Sequence, residues 1–205
     1  MNDTIKIYKR GAYRAEVYFD LYPQDPREVY DNLSTIISFS NRYNFNDTEK
    51  YKNAEFESWT DLANQIKNNE DIVEIYPLYK FEHSAVKLSI KEFNNRWDAG
   101  QIGFVYVTRQ SVNEMLGSDY NYTAEEIRSA VESELDMYNS YINGDVYRVQ
   151  IFEVIECGSC NHSNFEELEV LDISQSFYNL EEATDSAKAE LSRHDDSESK
   201  LEELK

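Results

Sequence analysis

Hydrophobic and polar positions along the chain recur with two different periods, and the changes of period mark out the elements. Ala12 to Leu21 (AYRAEVYFDL) alternates as a half-buried strand does, and Pro23 and Pro26 close it into a loop. Ser34 to Ser40 is short and β-branched, a second strand, and the polar run from Asn41 to Lys52 reads as a long loop. Ser58 has the chemistry of an N-cap for a helix from Trp59 to about Asn68, with Trp59, Leu62 and Ile66 on one side. Asp71 to Phe81 and Ala85 to Ile90 both read as strands, and Pro77 confines the first to an edge or a bulge. Gln101 to Thr108 (QIGFVYVT) is apolar throughout, which predicts a central strand covered on both faces. Ser111, with Glu114 at capping-box distance, opens a short helical segment.

The clearest element is TAEEIRSAVESELDMYNSYIN, which begins at Thr123 with Glu126 completing a capping box. Ile127, Val131, Leu135, Tyr138 and Ile142 form one apolar stripe, and Asn143-Gly144 ends the helix. Val146 to Ile155 is a long strand, with Phe165 to Ile173 as its hairpin partner across a Cys-Gly-Ser-Cys turn. Leu180 to Ser192 predicts a closing helix. This order predicts an α+β fold: an antiparallel or mixed sheet of about five to seven strands, with two to three helices packed on it. No Gly/Ser/Pro-rich linker interrupts the chain, so residues 1–192 read as one domain and 193–205 as an acidic tail, helical or frayed.

Composition adds a compartment and a partner class. A 205-residue chain with 40% hydrophobic and 14% aromatic residues can bury a core, so a disordered polyanion is excluded. No apolar run reaches the roughly 18 residues of a membrane span. Two cysteines make no disulfide framework, which fits a cytoplasmic setting. Forty acidic residues oppose 20 basic ones, for a formal charge of −20. Residues 1–118 hold 14 basic and 18 acidic residues, a net of −4, whereas residues 119–205 hold 6 and 22, a net of −16. The acidic half, from about residue 119, repels phosphate backbones and attracts basic proteins. Direct nucleic-acid binding is not expected of it.

On the long helix Glu125, Glu132 and Asp136 project opposite the apolar stripe, with Glu126 on its shoulder. Their spacing, about 6 to 10 Å at a rise of about 1.5 Å per residue, overlaps that of backbone phosphates. Asp145, Glu166, Glu167 and Glu169 follow, and few of these acids have a cation four residues on. A helix face shaped for solubility alone would mix signs, because like charges at that spacing repel. Tyr120 and Tyr122, among the 16 tyrosines, suit contact with an arginine-rich partner. These ten residues form the expected partner-binding surface.

Other chemistry has less to stand on. Cys157, Cys160 and His162 have the turn of a zinc knuckle, but a structural zinc needs four ligands and no second pair lies near in sequence. No metal, cofactor or catalytic residue is expected. Phosphate-loop, dinucleotide, nucleophile-elbow and zinc-protease motifs are all missing from the sequence.

Three segments resemble a group of small proteins carried by phages and conjugative elements of Gram-positive bacteria: Asp31-Asn32-Leu33-Ser34-Thr35 with Arg42-Tyr43-Asn44, Trp97 to Val107 (WDAGQIGFVYV), and Asn143-Gly144-Asp145-Val146-Tyr147. The resemblance implies a mobile-element setting and no enzymatic activity. Its relatives carry further cysteines after the Cys-x-x-Cys turn, where this chain has Asp172-Ile173-Ser174, which weakens the zinc reading. In that setting the acidic half leads to an anti-defence expectation. A nucleic-acid mimic would fill the basic channel of a host CRISPR effector or restriction nuclease. The alternatives are a non-inhibitory module of phage or plasmid replication docking on a basic partner, and an enzyme with a site around Trp97 to Tyr106.

Overall fold

The computed structural model describes residues 4–95, 97–118, 121–156, 166–173, 175–195 and 199–205, and for 155, 156, 166–170, 172 and 173 the backbone alone. The fold is α+β, with two antiparallel sheets of four principal strands each. In chain order the elements are β1 (Thr4–Arg10), β2 (Tyr13–Phe19), α1 (Pro26–Val29), β3 (Ser34–Ser38), α2 (Trp59–Asn69), β4 (Ile72–Glu82), β5 (Val86–Ser89), β6 (Ala99–Thr108), α3 (Arg109–Leu116), α4 (Ala124–Asn143), β7 (Tyr147–Glu156), β8 (Glu166–Ile173), α5 (Leu180–His194) and β9 (Glu202–Glu203). The single sheet with two to three helices expected from the sequence is therefore corrected to two sheets and five α-helices among the described residues. Alternation identifies a strand but not its partner: β2 pairs with β7, more than a hundred residues later. Where the sequence reads as one domain over 1–192 with a tail, contacts divide the chain into two compact units. One is Met1–Gln24 with Gly144–Lys205, and the other is Asp25–Asn143.

The unit built from both ends of the sequence has the strand order β8-β7-β2-β1-β9. Tyr8, Ala15, Val17, Val149 and Ile151 pack against Ala183, Ala187 and Leu191 of α5. Alanines one turn apart let the helix backbone lie close to the sheet. Periodicity misses β1, because three cations break up its apolar positions. A tight turn through Gly11, at φ 57°, joins it to β2. The predicted tail is not frayed at its end: Glu202 and Glu203 add a strand beside β1.

The second unit has the order β3-β6-β4-β5, with α4 on one face and α2 on the other. β6 is central and double-covered, as its unbroken apolar run predicts. Val105 and Val107 face Ile127, Val131 and Leu135, while Phe104 and Tyr106 face Leu62 and Ile66. Burial pushes the Tyr106 hydroxyl up to about 12, so it stays neutral. Pro77 sits on the part of β4 paired with β6 alone, one residue before a register shift, where its missing N–H costs no ladder bond. Gly103 is demanded by packing: a Cβ there would lie 1.8 Å from the Ile37 carbonyl oxygen on β3.

The starts of α2 and α3 follow simple cap chemistry. Ser58 accepts from the Asp61 N–H, as expected. The cap of α3 is Thr108, with Ser111 as its N3 partner, so the expected start at Ser111 is corrected by three residues. A threonine ending a buried strand offers its hydroxyl one turn earlier than the pattern suggests.

Candidate acidic binding surface

The two units share the negative charge equally. Counting by unit, the end-built unit holds 19 acidic and 9 basic residues and the Asp25–Asn143 unit 21 and 11, a net of −10 each. The asymmetry along the sequence (−4 against −16) disappears in the fold, because α4 joins one unit and the rest of the acidic half joins the basic β1–β2 hairpin. No helix among the described residues is long and apolar enough to cross a membrane.

The ten expected contact residues divide between the units. Glu125, Glu126, Glu132, Asp136 and Tyr122 belong to Asp25–Asn143. Asp145, Glu166, Glu167 and Glu169 belong to the other unit, and Tyr120 lies outside the described residues. Cys157, Cys160 and His162 also lie outside them.

The stripe Ile127, Val131, Leu135 and Tyr138 is buried as predicted, which turns Glu125 and Asp136 to solvent. Neither makes a hydrogen bond or ion pair among the described residues. Glu132 is half-buried and pairs with Lys91 Nζ at 2.7 Å. Glu126 is used locally: its carboxylate accepts from the Thr123 N–H at 2.7 Å and Oγ1 at 2.9 Å, closing the capping box. The helix line thus keeps two uncommitted carboxylates, Glu125 and Asp136, about 16 Å apart at about 1.5 Å per residue. Tyr122 is half-buried against the core and its hydroxyl accepts from Arg109 Nη1 at 3.2 Å.

Asp145 is exposed immediately after Gly144, which adopts φ 76° to end α4. On the β7–β8 hairpin the register sets Glu153 opposite Glu169, Glu156 opposite Glu166, and Ile155 opposite Glu167. Like charges directly across a ladder repel, so these pairs are held by the strands and not by one another.

Two shallow depressions that the sequence does not announce flank α3, of about 410 and 430 Å³. The first is lined by Asp31, Asn32, Ser111, Glu114 and Met115. Glu70, Asp71 and Arg109 contribute to the second, with Glu114 shared between the two. Arg109 Nε lies 3.5 Å from Asp71, and Lys50 pairs with Glu70 at 2.5 Å. Among the described residues the first depression has two carboxylates and no cation in its lining, beside a Met115 that is 43% exposed. Its residues come from separate segments, so no local spacing signals it.

Not every acid is free for a partner. Glu134 on α4 accepts from the Leu33 N–H at 2.5 Å, the Ser34 N–H at 3.2 Å and Arg27 Nη1 at 3.2 Å. Arg27 also pairs with Asp47, whose carboxylate accepts from the Ile36 N–H at 2.6 Å. Burial opposes the Arg27 charge, but the hydrogen bonds and charges of Asp47 and Glu134 outweigh it and raise its pKa. Asn46 accepts from the Ser38 N–H, so the outer edge of β3 is closed by side chains. The β5 edge is closed likewise: Asn139 and Asn143 of α4 each donate to and accept from the backbone of one residue, Leu88 and Val86.

In the Trp97–Tyr106 segment, Trp97 is 96% exposed on a turn where Asn95 Oδ1 accepts its N–H. Asp98 accepts from Asn95 Nδ2 at 2.9 Å and lies 3.8 Å from His83 Nδ1. The strand beyond it is core. No group of three or more metal-ligating side chains occurs among the described residues.

No family model, curated protein or solved structure matches the chain.

Proposed function

We propose that the protein binds a basic, nucleic-acid-binding host protein through its carboxylate surface and blocks the channel in which that protein holds DNA or RNA. The setting would be a phage or mobile element, and the target a CRISPR effector or restriction nuclease. The observation that carries this reading is a net charge of −10 on each of the two units, with Glu125 and Asp136 exposed on α4 and a depression lined by Asp31 and Glu114 that has no cation among its described residues. A partner lysine or arginine can lay its aliphatic stem on Met115 and its charge between Asp31 and Glu114. Long-range attraction speeds encounter, and the depressions beside α3 supply register. The protein acts as a stoichiometric binder, without a catalytic residue, cofactor or metal.

A salt-graded pull-down from a Gram-positive host, followed by cleavage assays on the captured protein, tests this. The expected result is a nuclease that the protein inhibits, released by salt or competing DNA. Inhibition is weakened at least tenfold by Asp31→Asn with Glu114→Gln. Capture that ignores salt and these substitutions would sink the reading. A second reading is a docking module that leaves its basic partner active, and it is favoured by the localisation of the depressions on one helix. Capture with cleavage unchanged would select it.

A further inference from the structure

The edges of the two sheets are closed in different ways. In the Asp25–Asn143 unit both outer edges end on side chains fixed in the core: Glu134, Asp47 and Asn46 at β3, Asn139 and Asn143 at β5. The outer edge of β1 is covered instead by residues 201–205, all exposed, through a ladder of two residues. Leu204 N–H donates to the Ile7 carbonyl at 2.8 Å and Ile7 N–H to the Lys205 carbonyl at 3.1 Å. Tyr8 stands opposite Glu203 and Lys9 opposite Glu202, and Lys6 Nζ reaches Glu203 Oε1 at 2.7 Å. The pairing raises the Lys6 pKa and lowers that of Glu203. β1 carries Lys6, Lys9 and Arg10 and no carboxylate, unlike the other described strands of its sheet that bear cations.

We propose that the outer edge of β1 is a strand-acceptor site for a short extended segment bearing adjacent glutamates on another protein, with residues 201–205 as its replaceable occupant within the chain. The seated segment itself defines the ligand: antiparallel backbone bonds to Ile7 provide the hold, and glutamates beside Lys6 and Lys9 provide selectivity. The hold is exchangeable because the ladder is two residues long, no side chain of the occupant is fully buried (Leu201 is 37% and Leu204 53% exposed), and its ion pair is open to solvent. This surface has the opposite charge preference to the carboxylate surface and does not depend on it.

The probe is a fluorescent peptide of residues 199–205, Ser-Lys-Leu-Glu-Glu-Leu-Lys, titrated into full-length protein and followed by anisotropy. The double variant Glu202→Lys with Glu203→Lys should bind it at least tenfold more tightly than the native chain, because the internal occupant is weakened. Adding Lys6→Glu to that variant recloses the seat with charges exchanged and should abolish the gain. Equal binding by the native and opened chains, or binding indifferent to Lys6, overturns the proposal. Hydrogen exchange on the native chain gives a second check that needs no variant. The Ile7 amide should exchange at least a hundredfold faster than that of Val17, which is fully buried in β2, and equal protection also overturns the proposal.

Discussion

The carboxylates of this chain differ in role according to what donates to them. Asp136 faces water, whereas Glu134, two residues away, receives two backbone N–H groups and the nearly buried guanidinium of Arg27. Glu134→Ala leaves a buried cation and two N–H groups short of partners and should cost about 3–5 kcal/mol. Asp136→Asn should change stability by no more than about 0.5 kcal/mol. Urea unfolding of both variants measures the difference. Asp20 is a second committed acid. Burial would raise its pKa, but hydrogen bonds from Ser176 Oγ, the Tyr22 N–H and Arg148 outweigh burial and hold it below the usual value. Its folded pKa thus lies under the unfolded one. Its stabilisation is complete above about pH 4 and is lost as pH falls through the folded value. Asp20→Asn should lower the Tm at neutral pH, and the gap from the native chain should close in acid. A gap that stays constant from pH 7 to pH 2 would contradict this linkage.

At the scale of elements, period and caps identified most helices and strands, including β6 with both faces covered and α4 with its capping box and apolar stripe. The strands missed were those whose apolar positions are few or interrupted: β1, with three cations in seven residues, and β9, with two glutamates. The two glycines of the Trp97–Val107 segment also separate only in three dimensions. A Cβ at Gly103 collides with the Ile37 carbonyl, while one at Gly100 meets nothing within 4 Å. Gly103→Ala should therefore cost about 3 kcal/mol or more by parting β3 from β6. Gly100→Ala should be neutral or slightly stabilising, since it only narrows the unfolded ensemble. Thermal melts of the two single variants decide this, and equal losses would show that the β3–β6 contact is not the constraint.

Across the whole molecule the dominant fact is charge. With a net of −10 on each unit, self-repulsion opposes the compact state, and added salt should raise the Tm through the range from 0.01 to 0.5 M. A Tm that falls with salt would mean that ion pairs such as Arg27–Asp47 outweigh the repulsion. The surface that takes part in binding was legible only in outline. Exposure of Glu125 and Asp136 follows from helical period, but the capping role of Glu126, the Lys91 partner of Glu132 and the depression at Asp31 and Glu114 need contacts between distant segments. By itself the sequence determined the net charge, the α+β class and the local elements, because composition, side-chain period and cap chemistry act over a few residues. Only the tertiary structure decided that the strands divide into two sheets, that Asp20 and Arg148 pair across 128 residues of sequence, and that the acidic excess is equal in the two units. Strand pairing is set by which apolar faces can be buried together across the chain, and that is a property of the assembled fold.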